Sequence, residues 1–155
     1  MERGIVIAET HHGFVCANAG VDVSNAEEGT AILLPENPDA SARALQMRLS
    51  EIFAAHVGVI VSDTFGRAWR EGLINVALGV AGLDALLDYR GRHDAYGRPL
   101  QATVIAVADV LAAAAGLVMG KSDRIPVALI RGAKVETRSG SGADLIRIAD
   151  KDLFR

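Results

Sequence analysis

The apolar stretch "ATVIAVADVLAAAAGLVMG", Ala102 to Gly120, limits what this chain can fold into more than any other part of it. Its length is close to the roughly 20 residues that cross a bilayer. Asp109 sits in its middle, however, where a carboxylate is costly in hydrocarbon. Alanine dominates the run, so it reads as a core helix, apolar almost all round, and not as a membrane span. An isolated buried charge is expensive, so Asp109 needs a partner. The Arg- and Gly-rich loop "DYRGRHDAYGRPL" just ahead of it offers one.

Such a helix needs a sheet to cover. "VGVIVSDTFG" reads as a strand buried on both faces, because Val57 to Val61 is a β-branched run. It breaks into Ser62, Asp63 and Thr64, and polar groups at the carboxyl end of a buried strand are where α/β sheets hold ligands. "GIVIAE", "TAILL", "LINVALGVAGLDALL" (one strand or a strand pair) and "IPVALIRG" supply the other strands, and "RAWREG" reads as a basic turn. In "PENPDASARALQMRLSEIFAAH" the period changes to helical. Asn37 caps the helix, Pro38 takes its first position, and Ala42, Leu45, Leu49, Ile52 and Phe53 face the core. Arg43 and Arg48 fall on the wet side. With 155 residues, 50% hydrophobic and 5% aromatic, the reading is one mixed α/β (α+β) domain over residues 1–155, with a mixed β-sheet and two long helices. A chain of this size hides roughly 68–70% of its unfolded surface.

Bulk chemistry narrows the partners. A formal net charge of −3 gives no basic field for nucleic acid, but local Arg and Lys can still hold a small anion. The single cysteine, Cys16, allows no internal disulfide and no thiolate metal cluster. It reads as a buried, inert thiol in a cytoplasmic protein. The N-terminal "MERGIVIAET" is not a secretory signal.

Several residues carry chemistry, each with a plainer alternative. Asp22 and Asp63 stand beside hydroxyls (Ser24, Thr64) and either share a hard cation such as Mg²⁺ or cap turns. Gly120-Lys121-Ser122 is not a classical phosphate loop, since position 115 is Ala and a helix precedes it. It either offers amides and charge to a phosphate or is a helix C-cap with a solvated lysine. His11 and His12, as neighbours on a strand, would point to opposite faces, one of them buried and hydrogen-bonded. Arg67 and Arg70 either clamp a carboxylate or phosphate or solvate a turn.

The ordered segments "GFVCANAGVDVSN", "LLPENPDASA", "VIVSDTFGRAWREG", "NVALGVAG", "DYRG", "AVAD" and "LVMGK…IPVALIRG" resemble the coenzyme F420 γ-glutamyl ligases from about Ile5 to Gly132. The resemblance implies a GTP-dependent ligase that adds L-glutamate to the deazaflavin precursor F420-0, releasing GDP and phosphate. It implies Mg²⁺ or Mn²⁺, with K⁺ as a further candidate cation, and an interwoven homodimer. Asp22 and Asp63 resemble the first metal's ligands, and Thr64 a ligand of the second. Asn25 resembles a nucleotide contact. Met119, Gly120, Lys121, Ser122, Asp123, Arg124, Ile125 and Pro126 resemble the loop that wraps the nucleotide. Relative to the family, an N-terminal segment with a GTP-contacting loop and a Ser/Thr and Lys pair is missing, and no nitroreductase extension follows. Lys121 stands where several members have Glu or an amide at the second metal. Leu73, Ile74, Val110 and Gly116 replace polar or acidic residues. A non-catalytic dimerisation or ligand-binding module that keeps the fold is the competing reading.

Overall fold

The computed structural model describes residues 4–137 and 139–152. It is mixed α+β. In place of one mixed sheet, the described residues form three two-stranded antiparallel pairs. Strand β1 (Ile7–Glu9) pairs with β2 (Val15–Ala17). Strand β3 (Val59–Arg67) pairs with β4 (Arg70–Ala81) in a long hairpin. Strand β5 (Leu87–Asp88) pairs with β6 (Val104–Ile105). Helix α1 spans Pro38–Phe53 and α2 spans Val107–Met119.

The central hairpin corrects three expectations. β3 does not end at Ser62. It runs on through Asp63 and Thr64, because residues 70–81 continue as its antiparallel partner. The expected basic turn shrinks to Ala68 and Trp69, with Arg67 opposite Arg70. β3 is half-buried along nearly all its length and not covered on both faces. The packed half of the hairpin is the end of β4, where Ala77 to Ala81 are all buried.

That packing has a specific cause. The register slips between Val61 and Ser62, which face Gly79 and Ala77, so Leu78 is an extra residue. Such a bulge disturbs the ladder locally. The Ala77 N–H donates to Asp109 Oδ1 at 2.8 Å, and the Val80 N–H donates to Asp39 Oδ1 at 2.8 Å. Asp109 therefore pairs with β4 backbone, not with the loop arginines. Those are engaged elsewhere, Arg90 with Asp88 and Arg92 with Glu136. Two Arg90 nitrogens hold the exposed Asp88 carboxyl at about 2.

Asp39 is the main fastener. Besides Val80, its carboxylate accepts from the Gly142 N–H and the Ser141 hydroxyl, binding α1, β4 and the C-terminal tail at one point. Burial pushes this carboxyl up, but the Gly142, Ser141 and Val80 donors and the Arg43 charge outweigh it and hold it below the usual range. Gly79 allows the approach. A Cβ there would lie 2.2 Å from the Pro38 carbonyl carbon, so any side chain would force α1 away. Around this point Ala77, Val80, Leu83, Ala85 and Ala108 form the core, with Ile60, Leu111, Val135 and Leu145 packed on it.

Local signals behaved as expected in α1: the Asn37 side chain accepts from the Ala40 N–H at 2.9 Å, with Pro38 at the first position. Its expected core face did not follow. Ala42 is buried and Leu49 half-buried, but Leu45, Ile52 and Phe53 are exposed. "TAILL" forms only an isolated bridge, Ile32 to Asp22. "IPVALIRG" forms no strand and leaves Val127 and Leu129 exposed, because no segment of the described residues pairs with it. The second helix starts at Val107, later than expected, because Val104 and Ile105 pair with β5.

Candidate functional site

Three segments converge where α2 ends. α2 stops at Gly120, whose φ of 61° lies in the left-handed region that favours glycine. The turn that follows folds tightly, with the Asp123 carboxylate against Gly120. It sends Lys121 back to the hairpin, where the Lys121 ammonium donates to Thr64 Oγ1 at 2.9 Å. The Thr64 hydroxyl in turn donates to Asn75 Oδ1 at 3.1 Å. Thr64 and Asn75 face each other across β3 and β4, as a cross-strand pair must to share a face.

Asn75 escaped the sequence reading, though a lone amide inside the apolar "LINVALGVA" was a usable signal. Its position explains Gly116 on α2. A Cβ there would lie 3.2 Å from Asn75 Nδ2, so glycine lets the helix close onto the amide without displacing it.

Asp22 joins the same patch from the segment after β2. Its carboxyl lies below its ordinary value chiefly because the Ser24 hydroxyl and N–H donate to it, with the Lys121 charge adding in the same direction. Ser24 binds both carboxylate oxygens at 2.7 Å. The capping role and the site role of Asp22 are thus compatible: Ser24 fixes the carboxylate, and Lys121 lies within its field.

Asp63 precedes Thr64, and strand alternation sends its side chain to the other face. Its Oδ1 accepts from the Thr64 N–H at 2.7 Å. Its charge reaches Cys16 in β2, whose thiol is pushed up first by burial and then by Asp63, against a Gly20 backbone hydrogen bond. Cys16 is buried and free, as an inert thiol would be. A cavity of about 260 Å³ lies beside this part of the hairpin, between Phe14, Phe65, Val76, Asp109, Ile146 and Arg147.

The structure thus unites Asp22, Thr64 and Lys121, with Asp63 next in line. Asn25 lies exposed three residues past Asp22, with a left-handed φ of 57°. Ser122, Ile125 and Pro126 are exposed beyond Lys121. Among the described residues, no hydrogen bond ties any of these four to the cluster. Arg67 and Arg70 are at the hairpin tip, where Arg67 donates to the Glu71 carbonyl. His11 and His12 do not point apart. They occupy a turn, their rings 3.6 Å apart, and their Nε2 atoms meet the carbonyls of Pro35 and Glu36.

Among the described residues no three His, Cys, Asp or Glu side chains form a metal cage. Mg²⁺ rarely uses such a cage; it takes one or two carboxylates and completes its shell with water and substrate phosphates. Asp22 and Asp63 are carboxylates of that kind, Asp22 in the patch with Lys121 and Asp63 on the opposite face of β3 from Thr64. Lys121 takes one of the two lone pairs of Thr64 Oγ1, so a second ion on the other would stand against an ammonium charge.

The comparisons with known proteins agree in direction. The family model described as F420-0:Gamma-glutamyl ligase matches residues 1–132. A protein of Methanocaldococcus jannaschii named coenzyme F420:L-glutamate ligase is 48% identical over 154 residues, covering 99% of this chain and 61% of its own length. Proteins of the same name from Methanopyrus kandleri and Methanothermobacter thermautotrophicus are 48% and 49% identical, over 97% of this chain and 62% and 61% of theirs. The chain thus spans about three-fifths of the length of these curated relatives.

Proposed function

The chain belongs to the F420-0:gamma-glutamyl ligase family, and from that premise we propose that it is the region of a GTP-dependent ligase that joins L-glutamate to the deazaflavin precursor F420-0 in coenzyme F420 biosynthesis. The observation that carries this reading is the contact of Lys121, in the turn after α2, with Thr64 on β3, inside the field of Asp22. It puts a cation, a carboxylate and a hydroxyl in one exposed patch, beside the loop assigned to the nucleotide.

In the proposed reaction a carboxylate oxygen of F420-0 attacks the γ-phosphorus of GTP. The bond to the β-phosphate oxygen breaks and GDP leaves. The glutamate amine then attacks the acyl carbon, loses a proton, and inorganic phosphate departs with both electrons of the C–O bond. Such transfer depends mostly on positioning and on neutralising phosphate charge. Here Lys121 would hold a phosphate oxygen. Ser24 would keep Asp22 in its orientation, and Asn75 would fix the Thr64 hydroxyl. Asp22 and Asp63 are the residues that would hold Mg²⁺ or Mn²⁺, and the ion would offset phosphate charge.

Apolar side chains left exposed on α1 (Leu45, Met47, Ile52, Phe53) and α2 (Val110, Leu117, Val118) support a homodimer, since contiguous exposed apolar surface marks an interface. Among the described residues no helix is long and apolar enough to cross a membrane. The free thiol of Cys16 is in keeping with a reducing cytoplasm.

The test is mass spectrometry of the purified chain with F420-0, L-glutamate, GTP and Mn²⁺. The expected product is one glutamyl unit heavier, with stoichiometric GDP. Tight nucleotide and F420-0 binding without product would instead establish the non-catalytic module.

A further inference from the structure

Family resemblance assigns Thr64 to a second metal ion, but the geometry of this chain gives that place to a side chain. The Lys121 ammonium sits 2.9 Å from Thr64 Oγ1. The single hydroxyl proton of Thr64 is committed to Asn75 Oδ1, so the oxygen turns lone-pair density toward Lys121. Asn75 is itself held against Gly116 of α2. Gly120, with the Asp123 carboxylate folded onto it, closes the turn that aims Lys121 at β3. The contact is thus built from β3, β4, α2 and the following turn.

A divalent ion bound to the same oxygen would sit about 2.1 Å from it. Two cations would then share one hydroxyl roughly 4 Å apart, with strong repulsion. An ammonium at that place is always present, requires no free metal and carries half the charge.

We propose that the Lys121 ammonium is the second cation of the site, standing between Asp22 and Thr64, so that the chain takes one divalent ion where Thr64 would otherwise hold another. This rests on the ligase reading, because it presumes a metal–phosphate site. Its consequence is a difference in metal count, and phosphates that meet a lysine on one flank and a metal on the other.

The test is Mn²⁺ titration of the full chain, followed by the electron paramagnetic resonance of free Mn²⁺, with and without GDP. Wild type is expected to bind about one Mn²⁺ per chain. K121Q, which removes the charge and offers an amide oxygen, is expected to bind a second with at least ~10-fold higher affinity than wild type shows for any second ion. Two tight ions in wild type would overturn the proposal whatever the variant does, and so would an unchanged count in a K121Q chain that keeps its circular dichroism spectrum. Failure of a folded wild type to bind either Mn²⁺ or GDP would overturn the ligase reading itself, a result separate from a wrong count.

Discussion

Asp39 and Asp22 are two carboxylates with opposite uses, and the regions around them differ accordingly. Asp39 is half-buried at the start of α1, its oxygens taken by the Val80 and Gly142 N–H groups and the Ser141 hydroxyl. Asp22 is exposed, its carboxylate held by the adjoining Ser24 and Val23, with Lys121 close by. Both carboxyls titrate below their ordinary range, so the direction of a shift does not tell a fastener from a site residue. What separates them is where the donors come from. Asp39 is saturated by distant backbone and would gain nothing from a ligand. Asp22 has local donors on one side and the Lys121 cation on the other, and keeps lone pairs to give away.

The largest effect that would break this contrast is in stability. Asp39→Ala leaves two N–H groups and a hydroxyl unpaired in a half-buried setting and should cost about 3–4 kcal/mol, read from urea midpoints. A loss below about 1 kcal/mol would mean that the tail docks without Asp39. Next comes Asp22→Asn. It should change stability by less than about 1 kcal/mol yet weaken Mn²⁺-dependent GDP binding by roughly 10- to 100-fold, measured by calorimetry. Equal losses of stability from the two variants would erase the distinction.

The smallest effect is in pH. A carboxyl whose folded pKa is lowered adds stability that is complete above the unfolded value, about 4. That stability fades as pH falls through the lower folded value, because the unfolded chain takes up the proton first. Asp39→Ala should therefore flatten the acid limb of stability against pH. Asp22→Asn should leave that limb nearly unchanged, since its exposed carboxyl is screened by solvent. Chemical-denaturation curves between pH 3 and 6 would compare the two.

The same contrast explains what could be read from the sequence. Asn37 and Pro38 were legible because capping is settled within four residues. Asp22, Thr64 and the lysine turn stood out in the sequence as polar groups beside hydroxyls and glycines, but that they meet was not visible there. Asp39 looked like an ordinary acidic residue in a first helical turn, because its partners lie 41, 102 and 103 positions away. The Asp109 partner was misjudged for a related reason: the bulge at Leu78 that presents the Ala77 N–H leaves no mark on composition. "IPVALIRG" and the exposed α1 face were misread because an apolar run reports a wish for burial and not the surface that will grant it.

The tail contact also sets a timetable for synthesis. Ser141 and Gly142 bind a residue made 102 and 103 positions earlier, and they lie beyond residue 132, where the family match stops. During translation α1 and the β3–β4 hairpin emerge long before the segment that locks them, so the nascent chain holds Asp39 open until Ser141 and Gly142 have left the ribosome. A contact of such separation closes late and slowly. A message cut shortly after the matched region would therefore encode every residue of the proposed nucleotide patch and still release a protein without its clasp.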